Sequence, residues 1–267
     1  RLIQLSSAGA DAYAAPGLIP AGAVLTNASG AYGLAVSEHM LGMLLMMLKK
    51  LDRYARHQQE HQWIHEPAVG TICGSRTLIL GMGDIGCEFG RRMAALGSTV
   101  TGVCRHPAGT PDFAESVHTA EELDSLLPSA DFVFCVLPAT PETRHFFDSR
   151  RLQLMKPGSI LLNAGRGSLI ETGALIRALK DGRPGGACLD VMETEPLPAD
   201  SPLWDIPEVI LTPHSAGRMN LPQTVDHIVE LSILNLKALR DHTPFYNEVD
   251  PASGYRRQSC RYEPGRN

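Results

Sequence analysis

The chain predicts an α/β fold built on a doubly wound parallel sheet, and three observations carry that expectation. Nearly continuous apolar runs at 78–80, 132–137, 160–162 and 187–189 read as strands buried on both faces. Segments with helical apolar spacing alternate with them, as repeated β–α units require. One strand runs directly into Gly81-Met82-Gly83-Asp84-Ile85-Gly86, a G-x-G-x-x-G pattern, after which apolar residues recur at Ile85, Phe89, Met93 and Leu96. In such a strand–turn–helix Gly81 makes the tight turn, Gly83 lets the backbone approach a pyrophosphate, and Gly86 lets the helix pack close to the strand. The helix N-terminus offers N–H groups and a positive dipole end to phosphates. The stretch is therefore read as a dinucleotide-binding turn, with Gly81, Gly83, Asp84, Ile85 and Gly86 facing the cofactor.

Composition sets the outer bounds. At 267 residues, 43% hydrophobic and 20% charged, the chain is an ordinary soluble globular protein with room for one large or two small domains. A formal net charge of -5 gives no electrostatic footprint for nucleic acid or an anionic membrane. The six cysteines (73, 87, 104, 135, 188 and 260) are scattered without a C-x-x-C pair. Several sit in or beside apolar runs, where a reduced thiol behaves as a small hydrophobe. This favours a reducing cytoplasm over disulfides or a metal site. No charged-then-apolar signal segment opens the chain; it begins on Arg1, as a processed or fragmentary N-terminus would.

In chain order, 2–5 and 24–27 read as short strands, with the polar turn 6–11 between them. That turn has the composition of an anion nest, although taken alone it is an ordinary loop. A single long helix is expected over 34–63. Its apolar middle is too short, and too closely flanked by Ser37, Glu38, His39, Lys49 and Lys50, to span a bilayer. A helix apolar nearly all round is buried on several sides, in its own core or against a second subunit. Met40, Met43, Met46 and Met47 are read as adaptable core packing. Then follow strand 77–81, helix 85–96, strand 100–103, helix 120–127, strand 132–137, strand 159–163, helix 172–179, strand 186–190 and strand 209–212. Ligands of such sheets sit at the carboxyl ends of the strands. Those ends carry the glycine turn, Arg105, Pro138, 163–167, Asp190 and Pro213–His214, so one crevice is expected to collect them. An amphipathic helix over 225–239 and a loosely ordered tail over 250–267 complete the chain.

Three polar groups stand out at or near strand ends: Arg166, Glu195 and His214. A lone histidine between strand and turn is usually structural, but a carboxylate partner such as Glu195 stabilises its protonated form and makes it a proton donor. Arg166 supplies a planar fork able to grip a carboxylate. Reduction of a 2-keto acid needs such an anchor and such a donor, with a nicotinamide to deliver hydride.

The segments Asn163-Ala-Gly-Arg-Gly167, Leu189-Asp-Val-Met-Glu-Thr-Glu-Pro196 and Leu211-Thr-Pro-His-Ser-Ala-Gly217 resemble the signatures of the D-isomer-specific 2-hydroxyacid dehydrogenases, of glyoxylate/hydroxypyruvate reductase type. They follow the G-x-G-x-x-G in that family's order, and Leu137-Pro-Ala-Thr-Pro-Glu-Thr143 extends the likeness. The resemblance implies a Rossmann-type sheet with a second, flavodoxin-like substrate domain. It implies that Arg166 binds and polarises substrate, that His214 is the acid/base and that Glu195 pairs with it. It further implies cofactor contacts from Leu137, Pro138, Thr143, Ala164, Gly165, Asp190, Ala216 and Gly217, with Asp190 near the nicotinamide carboxamide. Ser7, Ala8 and Gly9 match a substrate-carboxylate loop, and residues 34–59 a dimerisation helix.

Two departures shape the remaining expectations. The family's substrate domain begins well before the Ser7 loop, so here it is expected to be truncated to 1–26 and 222–267, around a dinucleotide-binding domain at 27–221. An acidic residue about 20 positions past the glycines would pair with the ribose of NAD. The chain instead reads Cys104-Arg-His-Pro107, and Arg105 favours NADP(H) over NAD(H). The alternative to an enzyme is a catalytically impaired, nucleotide-sensing module of corepressor type; the complete Arg166–Glu195–His214 set argues against it.

Overall fold

A computed structural model of the chain describes residues 1–13, 17–107, 109–250, 255–257 and 261–264. Its elements are β1 (Leu2–Gln4), β2 (Val24–Thr26), α1 (Gly33–Lys49), α2 (Leu51–Gln59), β3 (Arg76–Leu80), α3 (Asp84–Ala95), β4 (Thr99–Val103) and β5 (Ser116–His118). They continue with α4 (Leu123–Leu126), β6 (Phe132–Cys135), α5 (Ser149–Leu154), β7 (Ile160–Asn163), α6 (Thr172–Lys180), β8 (Gly186–Leu189), β9 (Val209–Leu211), α7 (Pro222–Asp241), β10 (Val249–Asp250) and β11 (Tyr255–Arg256). These divide into two compact units, Val36–Ala216 and Arg1–Ala35 with Gly217–Asn267.

The larger unit is the expected α/β body. Seven parallel strands lie in the order β5-β4-β3-β6-β7-β8-β9. The chain steps outward from β3 through β4 to β5, then returns to the other side of β3 and proceeds through β6 to β9. The direction of winding therefore reverses between β3 and β6, where Leu78 faces Val133 and Leu80 faces Cys135. A crevice for a ligand opens at such a reversal, beyond the carboxyl ends of the strands. All four residues in each of β6, β7 and β8 are buried, which is why those segments carry no polar alternation. On one face Leu78, Leu80, Val133, Leu161 and Leu189 pack with Leu152 and Leu175 of the covering helices. Elsewhere Phe89 of α3 meets Phe134 of β6 with ring centroids 4.3 Å apart.

Several expectations change in detail. The long helix expected over 34–63 is two helices, because Lys50 adopts a left-handed conformation at φ 57°, ψ 31°. That conformation costs a non-glycine residue about 1–2 kcal/mol. Beyond the break, α2 directs three residues at Glu66: Arg53 Nη1 donates at 3.1 Å, His57 Nε2 lies at 3.2 Å, and the Tyr54 hydroxyl accepts from the Glu66 backbone N–H at 3.0 Å. This clasp fastens the segment after α2 back onto that helix. Met40, Met43 and Met47 are buried core as expected, whereas Met46 is exposed. The helix expected over 120–127 is only α4 flanked by short 3-10 turns, with Pro128 in the second of them. Strand β5 and helix α5 were not anticipated; α5 is capped by the Asp148 carboxylate, which accepts from the Arg151 N–H at 2.9 Å.

The smaller unit pairs β1 with β2 in parallel, Leu2 opposite Val24. Leu5, Ala10, Leu25 and Val249 form its core. The Asn235 amide of α7 donates to Gln4 Oε1 at 2.7 Å and accepts from the Tyr246 N–H at 2.8 Å, joining α7 to β1 and to the segment before β10. The described part of the tail is tied down, contrary to expectation. β10 and β11 pair antiparallel, and Tyr262 is buried with its hydroxyl donating to Glu230.

Candidate active site

The glycine turn leaves β3 at the reversal of winding. Gly81 has φ +107°, and a Cβ there would sit 2.8 Å from the Val136 carbonyl oxygen of the next strand's end. At Gly86 a Cβ would overlap the Gly81 carbonyl oxygen itself, so α3 can lie against the turn only with glycine there. Gly83 differs. It is the N-cap of α3, its φ of -88° suits any residue, and a Cβ there would meet nothing within 4 Å. The protein's own packing does not require glycine at 83. The room beside it lies at a helix N-terminus, where the positive end of the helix dipole suits an anion. Asp84 and Ile85 open α3, and Met82 lies across Gly102 of β4.

Further predicted residues follow along the same edge. Arg105 is exposed just past β4. The Thr140 side chain and, more weakly, the Arg105 charge hold the Glu142 carboxyl below the usual carboxylate range, which puts Arg105 within electrostatic reach of the loop after β6. In that loop Thr143 Oγ1 donates to the Pro138 carbonyl at 2.7 Å and accepts from the Thr140 N–H at 2.8 Å, closing the turn that begins at Leu137 and Pro138. After β7, Gly165 N–H donates to Asn163 Oδ1 at 3.1 Å, and a Cβ on Gly165 would press within 2.6 Å of the Leu137 carbonyl oxygen. Ala164 lies between them.

Arg166, Glu195 and His214 follow three neighbouring strands, β7, β8 and β9. Arg166 Nη1 donates to the Gly165 carbonyl at 2.9 Å, and the Asn163 side chain donates to the Arg166 carbonyl at 3.0 Å. His214 Nδ1 lies 2.8 Å from Glu195 Oε2, and Glu195 Oε1 accepts from the Met192 N–H at 2.9 Å. A carboxylate only accepts, so His214 carries its proton on Nδ1 toward Glu195 and turns Nε2 to the opposite side. His214 holds φ 50°, and its backbone N–H donates to the Asp190 carbonyl at 2.7 Å. The two side chains are 48% and 38% exposed, so the pair is within reach of a small molecule.

Asp190, by contrast, is 2% exposed. Its Oδ1 accepts from Thr212 Oγ1 at 2.6 Å, the Ser215 N–H at 2.9 Å and the Ala216 N–H at 3.2 Å, while Oδ2 accepts from the Ala216 N–H at 3.1 Å. His39 Nε2 of α1 lies 3.0 Å from Thr212 Oγ1 and 3.7 Å from Asp190 Oδ1. Sequence reasoning missed His39, Thr212 and Ser215, because their meeting with Asp190 joins segments remote along the chain.

It also missed a second histidine–carboxylate pair. His145 Nε2 lies 2.5 Å from Glu193 Oε1, and Glu193 Oε2 accepts from the Thr172 N–H at 3.0 Å. His145 N–H donates to the Ser168 carbonyl at 2.8 Å, and a Cβ at Gly167 would overlap the Met192 carbonyl. The loops carrying Arg166 and Glu195 are thereby fastened to each other.

Ser7, Ala8 and Gly9 belong to the smaller unit, as does Gly217. There the Ser7 carbonyl accepts from the Ala28 N–H at 2.9 Å, the Ala8 carbonyl from Asn27 Nδ2 at 2.7 Å and the Gly9 carbonyl from Ser7 Oγ at 2.7 Å. Among the described residues no His, Cys, Asp or Glu group is placed to hold a metal ion, and no helix is long and apolar enough to cross a membrane. Cys73, Cys87, Cys104, Cys135 and Cys188 are free thiols, and burial pushes the Cys135 and Cys188 thiols far up; Cys260 lies outside the described residues.

The family model described as D-isomer specific 2-hydroxyacid dehydrogenase, NAD binding domain, matches residues 41–216. The chain is 34% identical over 221 residues to glyoxylate/hydroxypyruvate reductase B of Pectobacterium carotovorum subsp. carotovorum, covering 80% of this chain and 68% of that protein. It is 32% identical to the D-3-phosphoglycerate dehydrogenase of Methanocaldococcus jannaschii, covering 81% of this chain but only 41% of that longer relative. Among solved structures, a D-isomer specific 2-hydroxyacid dehydrogenase from Xanthobacter autotrophicus Py2 in complex with NADPH and MES superposes with a TM-score of 0.83. It is 31% identical and covers 96% of this chain and 79% of that one.

Proposed function

The chain belongs to the D-isomer-specific 2-hydroxyacid dehydrogenases, and we propose that it transfers hydride between NADPH and a small 2-keto acid, of the glyoxylate or hydroxypyruvate type, to give the D-2-hydroxy acid. The observation that carries this reading is the Glu195–His214 pair at 2.8 Å, beside the loop that presents Arg166. A nucleotide-sensing module has no use for a charge-supported imidazole with one nitrogen turned outward.

The residues present fit a dinucleotide. Gly83 keeps open space at the N-terminus of α3 for a pyrophosphate, Gly81 and Gly86 draw the backbone around it, and the Pro138–Thr143 and Ala164–Gly165 turns line the same edge. Asp190 Oδ2 has capacity for a further donor, which suits the N–H of a carboxamide. When bound, the nicotinamide supplies or accepts the hydride. The rest falls to the protein. Arg166 grips the substrate carboxylate and polarises the carbonyl. His214 Nε2 delivers the proton that the carbonyl oxygen takes as the carbonyl carbon is reduced, and recovers it in the reverse direction. Glu195 stabilises the protonated imidazole and fixes its tautomer. Ser7, Ala8 and Gly9 are proposed as the substrate-carboxylate loop, within a substrate domain of 1–26 and 222–267 around a dinucleotide domain of 27–221.

NADP(H) is favoured over NAD(H) because the end of β4 presents exposed Arg105 and no carboxylate, a pattern that pairs with a 2′-phosphate. The NADPH bound by the Xanthobacter protein supports the same choice. A homodimer through 34–59 is supported by exposed Met46 and Leu51 on that segment, and a cytoplasmic location by the buried free thiols Cys135 and Cys188.

The test is oxidation of NADPH and of NADH, followed at ~340 nm, with glyoxylate, hydroxypyruvate and pyruvate. Turnover with NADPH well above NADH is expected, lost in His214→Ala while nucleotide binding persists. Activity undiminished in His214→Ala would overturn the assignment; nucleotide binding without turnover of any keto acid would favour the sensing module.

A further inference from the structure

The hydrogen bonds around Asp190 have a direction that follows from counting protons. A threonine hydroxyl carries one proton, and an ionised carboxylate only accepts. Asp190 Oδ1 already receives the Ser215 and Ala216 N–H groups, as befits a carboxylate, and Thr212 Oγ1 stands 2.6 Å from it. Met43 Sδ at 3.6 Å is a weak thioether acceptor, and the His39 ring nitrogen can accept in one tautomer, but the carboxylate oxygen at 2.6 Å has no proton to give and takes a hydrogen bond only from the hydroxyl. The Thr212 proton therefore goes to Asp190. Thr212 Oγ1 is left as an acceptor toward His39 Nε2 at 3.0 Å, which must carry a proton to make the contact. The result is a one-way relay from His39 through Thr212 to Asp190.

We propose that His39 is a positioning residue for the nicotinamide carboxamide. Through Thr212 it fixes the rotation of the Asp190 carboxylate, so that Oδ1 is fully occupied and Oδ2 is presented to the amide N–H of the bound cofactor. The proposal rests on the reading of Asp190 as the carboxamide's partner and extends it to a residue of α1. A carboxylate with three donors on one oxygen and one on the other has its remaining capacity on the second. Without the Thr212 donor the carboxylate is held only by two adjacent backbone N–H groups, and its plane is free to turn. Asp190 is 2% exposed, so water is a poor substitute for the lost partner.

The experiment is calorimetric titration of the intact protein with NADP+, or with NAD+ if that binds tighter, and with the 3-acetylpyridine analogue of the same nucleotide. The analogue replaces the carboxamide NH2 by methyl and is otherwise the same ligand. The wild-type protein is expected to bind the natural nucleotide about tenfold tighter than the analogue, the value of one well-made hydrogen bond. In His39→Leu that preference should fall to about twofold or less, chiefly through weaker binding of the natural nucleotide. His39→Gln, whose amide nitrogen can donate from a similar place, should keep most of it. Thr212→Val, which keeps the shape of the side chain and removes the hydroxyl, should behave like His39→Leu and decides the matter if the leucine variant does not fold.

A preference unchanged from wild type in His39→Leu or Thr212→Val overturns the positioning role while leaving Asp190 in place. A wild-type protein that binds nucleotide and analogue equally overturns the Asp190 reading, and the proposal falls with it. Failure to bind either nucleotide overturns the dinucleotide site as a whole.

Discussion

Gly83 and Gly86 lie three residues apart in one turn, yet the structure gives alanine at the two positions opposite consequences. At Gly86 the new Cβ would overlap the Gly81 carbonyl oxygen and lie 3.1 Å from its carbon and 3.2 Å from Ile79 Cγ2. Backbone and a buried strand residue have no rotamer by which to retreat, so α3 must lift from the sheet. Overpacking of that kind costs about 3 kcal/mol or more, and the thermal midpoint should drop by roughly 6–12 °C for a unit of this size. At Gly83 the Cβ meets nothing within 4 Å, and its backbone at φ -88°, ψ -162° is open to alanine. The only cost is a poorer helix cap, about 0.5–1 kcal/mol. Yet the methyl group would stand where the pyrophosphate is to approach, and nucleotide affinity should fall by about tenfold to a hundredfold, or roughly 1.4–2.8 kcal/mol. Thermal unfolding by circular dichroism and titration calorimetry with NADP+ measure the two quantities separately. A Gly83→Ala protein with wild-type nucleotide affinity would refute the placement of the phosphates at α3. One that unfolds as early as Gly86→Ala would refute the account of open space.

Other expectations are briefer. Glu195→Gln keeps an acceptor for His214 Nδ1 at 2.8 Å but removes the charge that favours the protonated ring. Reduction should slow by roughly tenfold at neutral pH, because the charge that supports the ring as it handles the proton is gone; an unchanged rate would count against the pairing. Burial pushes the Glu193 carboxyl up, but the Thr172 N–H and the His145 ring outweigh it and leave the carboxyl below the usual range. Such a group stabilises the fold fully above its unfolded value of ~4.3, and that contribution is lost as pH falls through the lower folded value. The melting difference between wild type and Glu193→Gln should therefore hold near neutrality and shrink below pH ~4.3; a difference that persists undiminished in acid would contradict it. Lys50→Gly replaces a left-handed lysine by the residue that adopts φ 57° freely, and stability should change by less than about 0.5 kcal/mol or rise. A loss of about 1 kcal/mol is what a continuous helix would suffer, and denaturant titration distinguishes the two.

What could be read from the amino-acid order was what the chain encodes locally. Glycines at 81, 83 and 86 between an apolar run and a helical pattern sit where the turn and α3 form, because each acts on its immediate neighbours. Strands β6, β7 and β8 were legible because burial on both faces leaves their segments apolar throughout. Strand β5 was not: Ser116-Val-His118 is an edge strand with half-buried residues and no apolar run. The break at Lys50 left no mark, since neither glycine nor proline stands there. The Glu195–His214 contact was foreseen as a chemical need and a family likeness. The His39–Thr212–Asp190 relay was invisible, because it forms only when α1 and the ends of β8 and β9 are already packed.

The sheet order also bears on how the molecule comes into being. Every strand from β4 to β9 except β6 pairs with the strand just before it in the chain, and β6 pairs with β3. Each new strand therefore finds its template already present as synthesis proceeds, and the Val36–Ala216 body can be complete before α7 has left the ribosome. The other unit has no such privilege. Leu5 and Leu25 share their core with Val249, and Gln4 takes its partner from Asn235, so residues made before the sheet wait for residues made after it. During that interval β1 and β2 are an open pair of short strands with apolar side chains uncovered, the state in which chaperones and proteases act. Amide exchange should then report two cooperative blocks, with the amides of β1, β2 and α7 opening together and those of the seven-stranded sheet opening apart from them.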